Sequence, residues 1–321
     1  MNAQSSNLQP LHVVLGAGPA GTAITAELAR QGHRVRHISR GEIPSTDDRI
    51  ERVRADLSTT ESAIAATEGA SVIYHAINVP YHLQVSLLPG ITEAVLAAAA
   101  SHGARLVVLD TLYPYGEADG EAITEQTPWA ATSRKGKLRA DLDRRYLEAH
   151  RSGEVSVALG RSADFFGPGV LNSSFGGAFF PGAITGGTAL GIGDLTLPHS
   201  YTYITDVARG LAALGTDPRG DGRVWHLPTN PAMTTEDVHA LVEELTGQEL
   251  KVETLTEPVA FGPFDEEFMA EYAEMFYQHR IPQNMVSADF ESVFGLQPTP
   301  WREALAATLD WYRTAFGGDA R

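Results

Sequence analysis

Leu11–Arg40 reads LHVVLGAGPAGTAITAELARQGHRVRHISR, and this stretch decides the fold. Val13, Val14 and Leu15 form a short apolar run of the kind buried in a parallel sheet. Gly16, Gly18 and Gly21 follow at G-x-G-x-x-G spacing, and a helix opens at Pro19 with Ile24 and Leu28 one turn apart. Gly32 stops that helix, and Val35 to Ser39 reads as a second strand, which completes a β-α-β unit. Gly16 permits a tight turn, Gly18 has no side chain to hold a pyrophosphate off the backbone, and Gly21 lets the helix lie close to the sheet. The helix start at Pro19 and Ala20, with its unpaired N–H groups and its dipole, then attracts the anion.

The end of the second strand selects the nucleotide. Units specific for NAD place a carboxylate there to accept from the ribose 2′-hydroxyl. This chain has Ser39 followed by Arg40, a hydroxyl and a guanidinium suited to a 2′-phosphate, so NADP(H) is expected. The plainer alternative makes Arg40 a solvated loop arginine.

The rest of the chain continues the alternation. Strands are expected at 52–57, 71–76, 105–109, 155–160 and 223–227. Helices are expected at 60–68, over a long run reaching Ser101, and at 133–151. The fold class is therefore α/β, a Rossmann-type doubly wound parallel sheet with a smaller C-terminal substrate domain. Residues 1–165 are assigned to the nucleotide-binding domain, with return segments near 195–228, and 166–321 mainly to the substrate domain. Ligands bind at the carboxyl ends of parallel strands, so His75, Ala76 and the loop from Asp110 to Gly120 should face the cofactor. Gly167 to Gly193 is rich in glycine and phenylalanine and reads either as a mobile substrate loop or as an ordinary connection.

Composition narrows the partners. The 321 residues are 43% apolar and carry a net charge of -16 that is spread along the chain, which disfavours nucleic acid and anionic membranes. No cysteine is present, which excludes thiolate metal sites and cysteine nucleophiles. No apolar run stands out as membrane-spanning, and MNAQSSNLQP lacks the order of a signal peptide, so a cytoplasmic protein is expected. The eleven histidines look scattered, and no metal site is expected.

These landmarks together resemble the extended short-chain dehydrogenase/reductases, the NAD-dependent epimerase/dehydratase group. Besides the glycine loop, Asp56-Leu57 resembles the family's adenine-contacting pair, and Leu112-Tyr113-Pro114-Tyr115-Gly116 its "VYG" loop. Arg161 to Pro168, Tyr203 to Ala208 and Pro298 to Tyr312 match later landmarks. The resemblance implies a Tyr-x-x-x-Lys pair, in which the phenol moves a proton and the lysine holds the nicotinamide ribose, and an upstream hydroxyl. Counting from Tyr115-Gly116 puts that hydroxyl on Thr111, the tyrosine position on Ser133 and the lysine on Lys137, with Lys135 as a competitor.

A serine is too short and too weakly acidic to replace the phenol. Tyr113 is the first substitute, ahead of His75, Tyr81, His199 and Tyr201. Where nucleotide-sugar members of the family usually carry an arginine for the diphosphate, this chain has His199. Phe165, Phe166, Phe175, Phe179 and Phe180 fit a less polar molecule, unless they are simply core. The expected activity is an NADP(H)-dependent oxidoreductase or epimerase-like enzyme on a small carbonyl or hydroxyl compound that is not a nucleotide sugar. The alternative is an inactive NADP(H)-binding redox sensor or scaffold. The resemblance also implies a possible homodimer.

Overall fold

The computed structural model describes residues 9–43, 47–118, 120–261 and 264–317. The stretch before residue 9, on which the reading of the N-terminus rests, lies outside the described residues.

The chain begins β1 (Leu11–Leu15), α1 (Pro19–Arg30), β2 (Arg34–Ser39), β3 (Ile50–Arg54), α2 (Thr60–Ala66) and β4 (Ala70–His75). Next come α3 (Gln84–His102), β5 (Arg105–Thr111), the two-residue β6 (Ala122–Ile123), α4 (Arg134–Arg151) and β7 (Val157–Ser162). The central sheet also takes β12 (Val224–His226) and has the order β12-β7-β5-β4-β1-β2-β3, every neighbour parallel. The strand order reverses between β1 and β4. That switch point opens a crevice at the carboxyl ends of the strands, beside the loop after β1.

Two apolar layers hold the sheet. Val13, Ile73, Leu106 and Leu159 pack towards α2, α3 and α4, while Val14, Val107 and Trp225 pack towards α1 and a later helix, α6 (Ile204–Thr216). Tyr81–His102, which includes α3, is long and apolar enough to cross a membrane by length and composition alone, contrary to the reading of the sequence. Half of its apolar window is buried inside the protein, where it forms part of the first layer.

The glycine-rich segment after β7 is not a bare loop. It contains α5 (Phe180–Thr185) and β9 (Thr188–Ile192). Phe166, Phe175, Phe179 and Phe180 are buried with Tyr201 and Tyr312 in a separate aromatic core. Burying four phenyl rings contributes roughly 2 kcal/mol each, which explains why a segment so rich in glycine is ordered. Residues 266–279 divide into α8 (Glu266–Tyr272) and a 3₁₀ stretch, Ala273–His279.

Candidate active site

A single cleft of about 1290 Å³ runs from the loop after β1 to the C-terminal region. Gly16, Gly18, Pro19 and Ala20 line its first end, with Ser39, Arg40, Asp56, Leu57 and Ala76. The reason for the glycine pattern is visible here. A Cβ at Gly21 would lie 1.8 Å from the Gly16 carbonyl oxygen, whereas one at Gly18 would meet nothing within 4 Å. Gly21 therefore stands behind the cleft and closes the turn, and Gly18 leaves open space for a ligand.

The Gly16 carbonyl also accepts from Nε2 of buried His37, 2.8 Å away, a clamp the sequence reading did not foresee. Burial lowers the His37 pKa and the bond to Gly16 opposes it, so the neutral ring with its proton on Nε2 fits the contact. α1 starts at Gly18 without a side-chain cap, leaving its first N–H groups free for an anion.

Arg40 is exposed at the same end, and its carbonyl accepts from Arg54 Nε at 2.9 Å, so two guanidinium groups neighbour this corner. Asp56 lies just past β3, exposed, with Oδ1 accepting from the Ser58 N–H. His75 is not in the cleft lining. It is buried against Tyr146, and burial lowers its pKa to about 3.

The middle of the cleft carries the polar groups. Thr111 lines it at the end of β5, and Tyr113 follows in a 3₁₀ turn, with its N–H donating to Thr111 Oγ1 at 3.4 Å. The Tyr113 hydroxyl lies 2.6 Å from that of Tyr81, which comes from the loop after β4. Burial raises the pKa of both phenols, and each is raised further by a neighbour, Tyr81 for Tyr113 and Tyr272 for Tyr81, while the Arg139 charge works the other way. Both are held as protonated donors. A Cβ at Gly136 would come within 2.8 Å of the Tyr113 carbonyl, so α4 approaches the Tyr113 turn as closely as only glycine allows.

The expected Tyr-x-x-x-Lys register falls elsewhere. Ser133 caps α4, with Oγ accepting from the Gly136 N–H at 3.1 Å, and Lys137 is exposed; neither lines the cleft. Lys135 is fully buried and bonds Glu271 Oε2 at 2.5 Å and Glu274 Oε1 at 2.8 Å, tying α4 to α8 and the 3₁₀ stretch. The cation of α4 that reaches the cleft is Arg139, four residues after Lys135, whose Nη2 donates to Asn78 Oδ1 at 3.2 Å. Its buried Nε has no hydrogen-bond partner among the described residues.

At the far end the fold gathers Asp164, His199 and His279, with one ligand atom from each within 4.8 Å of the others. The scattered histidines of the sequence reading thus include two that meet. His199 Nε2 donates to Asp164 Oδ2 at 3.2 Å, Ser174 Oγ donates to the same oxygen at 2.7 Å, and Tyr272 hydroxyl and His279 Nε2 are 2.6 Å apart. Burial works to raise the Asp164 pKa, but His199, His279 and Ser174 outweigh it and hold it at about 2. Tyr201 is buried outside the cleft, with its hydroxyl bonded to Thr235. Of the five phenylalanines taken as fitting a less polar substrate, only Phe165 lines the cleft; the others are core.

Comparison with known proteins agrees with this geometry. UDP-arabinose 4-epimerase 1 of Arabidopsis thaliana is 24% identical over 291 residues, covering 76% of this chain and 69% of its own. A further UDP-arabinose 4-epimerase-like sequence of the same plant is 25% identical over 292 residues, and the match spans 76% of this chain but only 66% of that relative's length. Among solved structures, DesIV, a dTDP-glucose 4,6-dehydratase from Streptomyces venezuelae with NAD and TYD bound, has a TM-score of 0.77 at 19% identity, over 96% of this chain and 98% of that one. A UDP-glucuronic acid 4-epimerase from Bacillus cereus in complex with NAD also reaches 0.77, at 17% identity over 97% and 99%. These likenesses are of fold.

The expected small, non-nucleotide substrate is overturned, because the relatives and the structures of the same fold are named for nucleotide sugars. The aromatic argument for it is weakened independently, since four of the five phenylalanines lie in the core. Residues 12–227 match the NAD dependent epimerase/dehydratase family, and the chain belongs to that family.

Proposed function

We propose that this protein is a nicotinamide-dinucleotide-dependent enzyme that converts a nucleotide sugar by reversible oxidation, as an epimerase or dehydratase does. One observation carries the reading: the glycine loop, the paired phenols and the C-terminal wall share one continuous cleft, and its volume of about 1290 Å³ exceeds the roughly 300–1,000 Å³ of most single-ligand sites. A dinucleotide and a second large ligand fit such a space together.

The residues present suit the cofactor. Gly18 leaves room for the pyrophosphate, the start of α1 offers N–H groups, and Arg139 Nε is a buried donor in want of an acceptor. Arg139 would take the position on the nicotinamide ribose expected of Lys137. When bound, the nicotinamide supplies hydride acceptance and return. Thr111 orients the substrate oxygen, and Tyr113 holds the proton that oxygen gains or gives up, with the Tyr81 hydroxyl 2.6 Å away as its exchange partner. Arg139 eases loss of that proton by opposing the rise in the phenol pKa.

At the adenosine end, Arg40 with Ser39 and the neighbouring Arg54 favour the 2′-phosphate of NADP(H). The test is incubation with UDP- and dTDP-hexoses and pentoses in the presence of NAD or NADP, with products resolved by NMR. Conversion of at least one nucleotide sugar is expected; free sugars and simple ketones turned over while every nucleotide sugar stays inert would reject the proposal.

A further inference from the structure

The substrate half of the cleft lacks an obvious counter-charge. Its charged lining is acidic, from Asp164, Asp265, Glu267 and Glu271, whereas the described lining cations are Arg40 and Arg139, at the cofactor end and the middle. Glu271 is offset by Lys135 and Arg134, so the like charge that an anionic group meets in this half comes mainly from Asp164, Asp265 and Glu267.

Three segments converge at its wall, where Asp164 lines the cleft and His199 and His279 lie buried behind the lining. Asp164 lies on β8 (Asp164–Phe166) and faces the cleft, His199 on β10 (Pro198–His199), and His279 at the end of the 3₁₀ stretch that follows α8. The two histidines are buried, with rings stacked 18° from parallel and centroids 5.4 Å apart. Gln283 pairs its backbone with that of His199, lines the cleft and is 7% exposed. Its Oε1 has no hydrogen-bond partner among the described residues and is an acceptor left open in this wall.

We propose that Asp164, His199 and His279 form a binding site for a first-row divalent cation, with remaining coordination positions open to the cleft. Two imidazoles and one carboxylate are the donor set that Zn²⁺, Mn²⁺ and Fe²⁺ accept. The ligand atoms lie within 4.8 Å of one another, so a side-chain shift of under about 1 Å brings all three to the roughly 2 Å that such an ion needs. The bonds from His199 to Asp164 and from Tyr272 to His279 are those the ion replaces. The cation supplies the positive centre that the acidic wall lacks, and the diphosphate of the substrate is the anion it would meet. That role rests on the proposed function, but the site itself does not.

The experiment uses the full chain, stripped with chelator and titrated calorimetrically with Zn²⁺ and separately with Mn²⁺, alongside elemental analysis and dinucleotide titration of the same samples. One equivalent of one of the two metals should bind with a Kd of micromolar or below. His279→Gln and His199→Gln should each weaken it by at least about 100-fold while dinucleotide affinity stays native. If His199→Gln does not fold, His279→Gln with Co²⁺ as a spectroscopic probe decides the point, the ligand-field bands vanishing in the variant. Less than half an equivalent bound, or tight binding retained in the folded variants, would overturn the site. Because nucleotide-sugar turnover is not the readout, failure here leaves the proposed function standing, and failure of that function leaves this test intact.

Discussion

The two ends of the cleft are built by different means. At the dinucleotide end the demands fall on the backbone, where Gly21 packs on the Gly16 carbonyl, His37 clamps that carbonyl and the helix start is left uncapped. From the middle to the substrate end the demands fall on side chains from distant segments: Tyr81, Tyr113, Arg139, Asp164 and Tyr272. A backbone site tolerates almost no change at its glycines, while a side-chain site can exchange its residues and keep its shape. This difference explains how an ordinary glycine loop can stand beside a stretch with Ser133 where the family resemblance implies a tyrosine.

The sharpest way to break the comparison is at Gly21. A methyl group 1.8 Å from a carbonyl oxygen forces α1 away from the sheet, so Gly21→Ala should cost about 3 kcal/mol or more and reduce dinucleotide affinity by at least ~100-fold. Fluorescence titration and thermal melting read both effects, and native affinity would remove the backbone argument.

Acid should not separate the two ends. Burial lowers His12 in β1 to about 4, with His33 adding to the effect, and burial lowers His239, which stacks on Phe179 in the aromatic core, to about 4. Both are neutral when folded and have an ordinary value of 6.5, so their contribution to stability is complete above pH 6.5 and is lost as pH falls towards 4. Each gives up as much as about 2 kcal/mol between pH 6.5 and 5. Melting followed by dinucleotide fluorescence and by near-ultraviolet circular dichroism should shift down together; a substrate region that melts first at pH 5 would argue for separate units.

Smaller effects sharpen the contrast further. Arg139→Leu should raise the KM for dinucleotide about 30-fold, since a buried charged donor is lost, whereas Lys137→Leu on the exposed face should change it by less than about 2-fold. Equal effects would return the ribose contact to Lys137. Arg40→Leu should move the ratio of NADP to NAD affinity about 10-fold towards NAD and leave turnover at saturation alone; no change in that ratio would make Arg40 a solvated loop residue.

The legible part of the molecule is the local part. Strand, glycine loop, helix and strand lie within 30 consecutive positions, and each glycine answers a steric demand that a sequence displays. Thr111 and Tyr113 were legible for the same reason, since the end of a parallel strand faces the crevice. Ser133 caps α4 and Lys137 lies outside the cleft lining, which counting from Tyr115 does not reveal, and Arg139 emerges as a cleft residue only once α4 is seen to start at Arg134. Asp164, His199 and His279 meet only when β8, β10 and the stretch after α8 are assembled, and no spacing in the chain encodes that. The burial of Phe175, Phe179 and Phe180 stood in the sequence only as one of two readings, because a run rich in glycine shows no period that decides between them.

The most direct test of the account is Tyr113→Phe in a single-turnover reaction with a converted nucleotide sugar, followed by nicotinamide absorbance. The variant loses a hydroxyl 2.6 Å from that of Tyr81 and keeps the ring. The expected result is unchanged dinucleotide affinity and a hydride-transfer rate lowered by about 100-fold or more. A rate within about 2-fold of the native protein would contradict the placement of the proton donor at Tyr113, and with it the claim that the paired phenols replace the missing tyrosine.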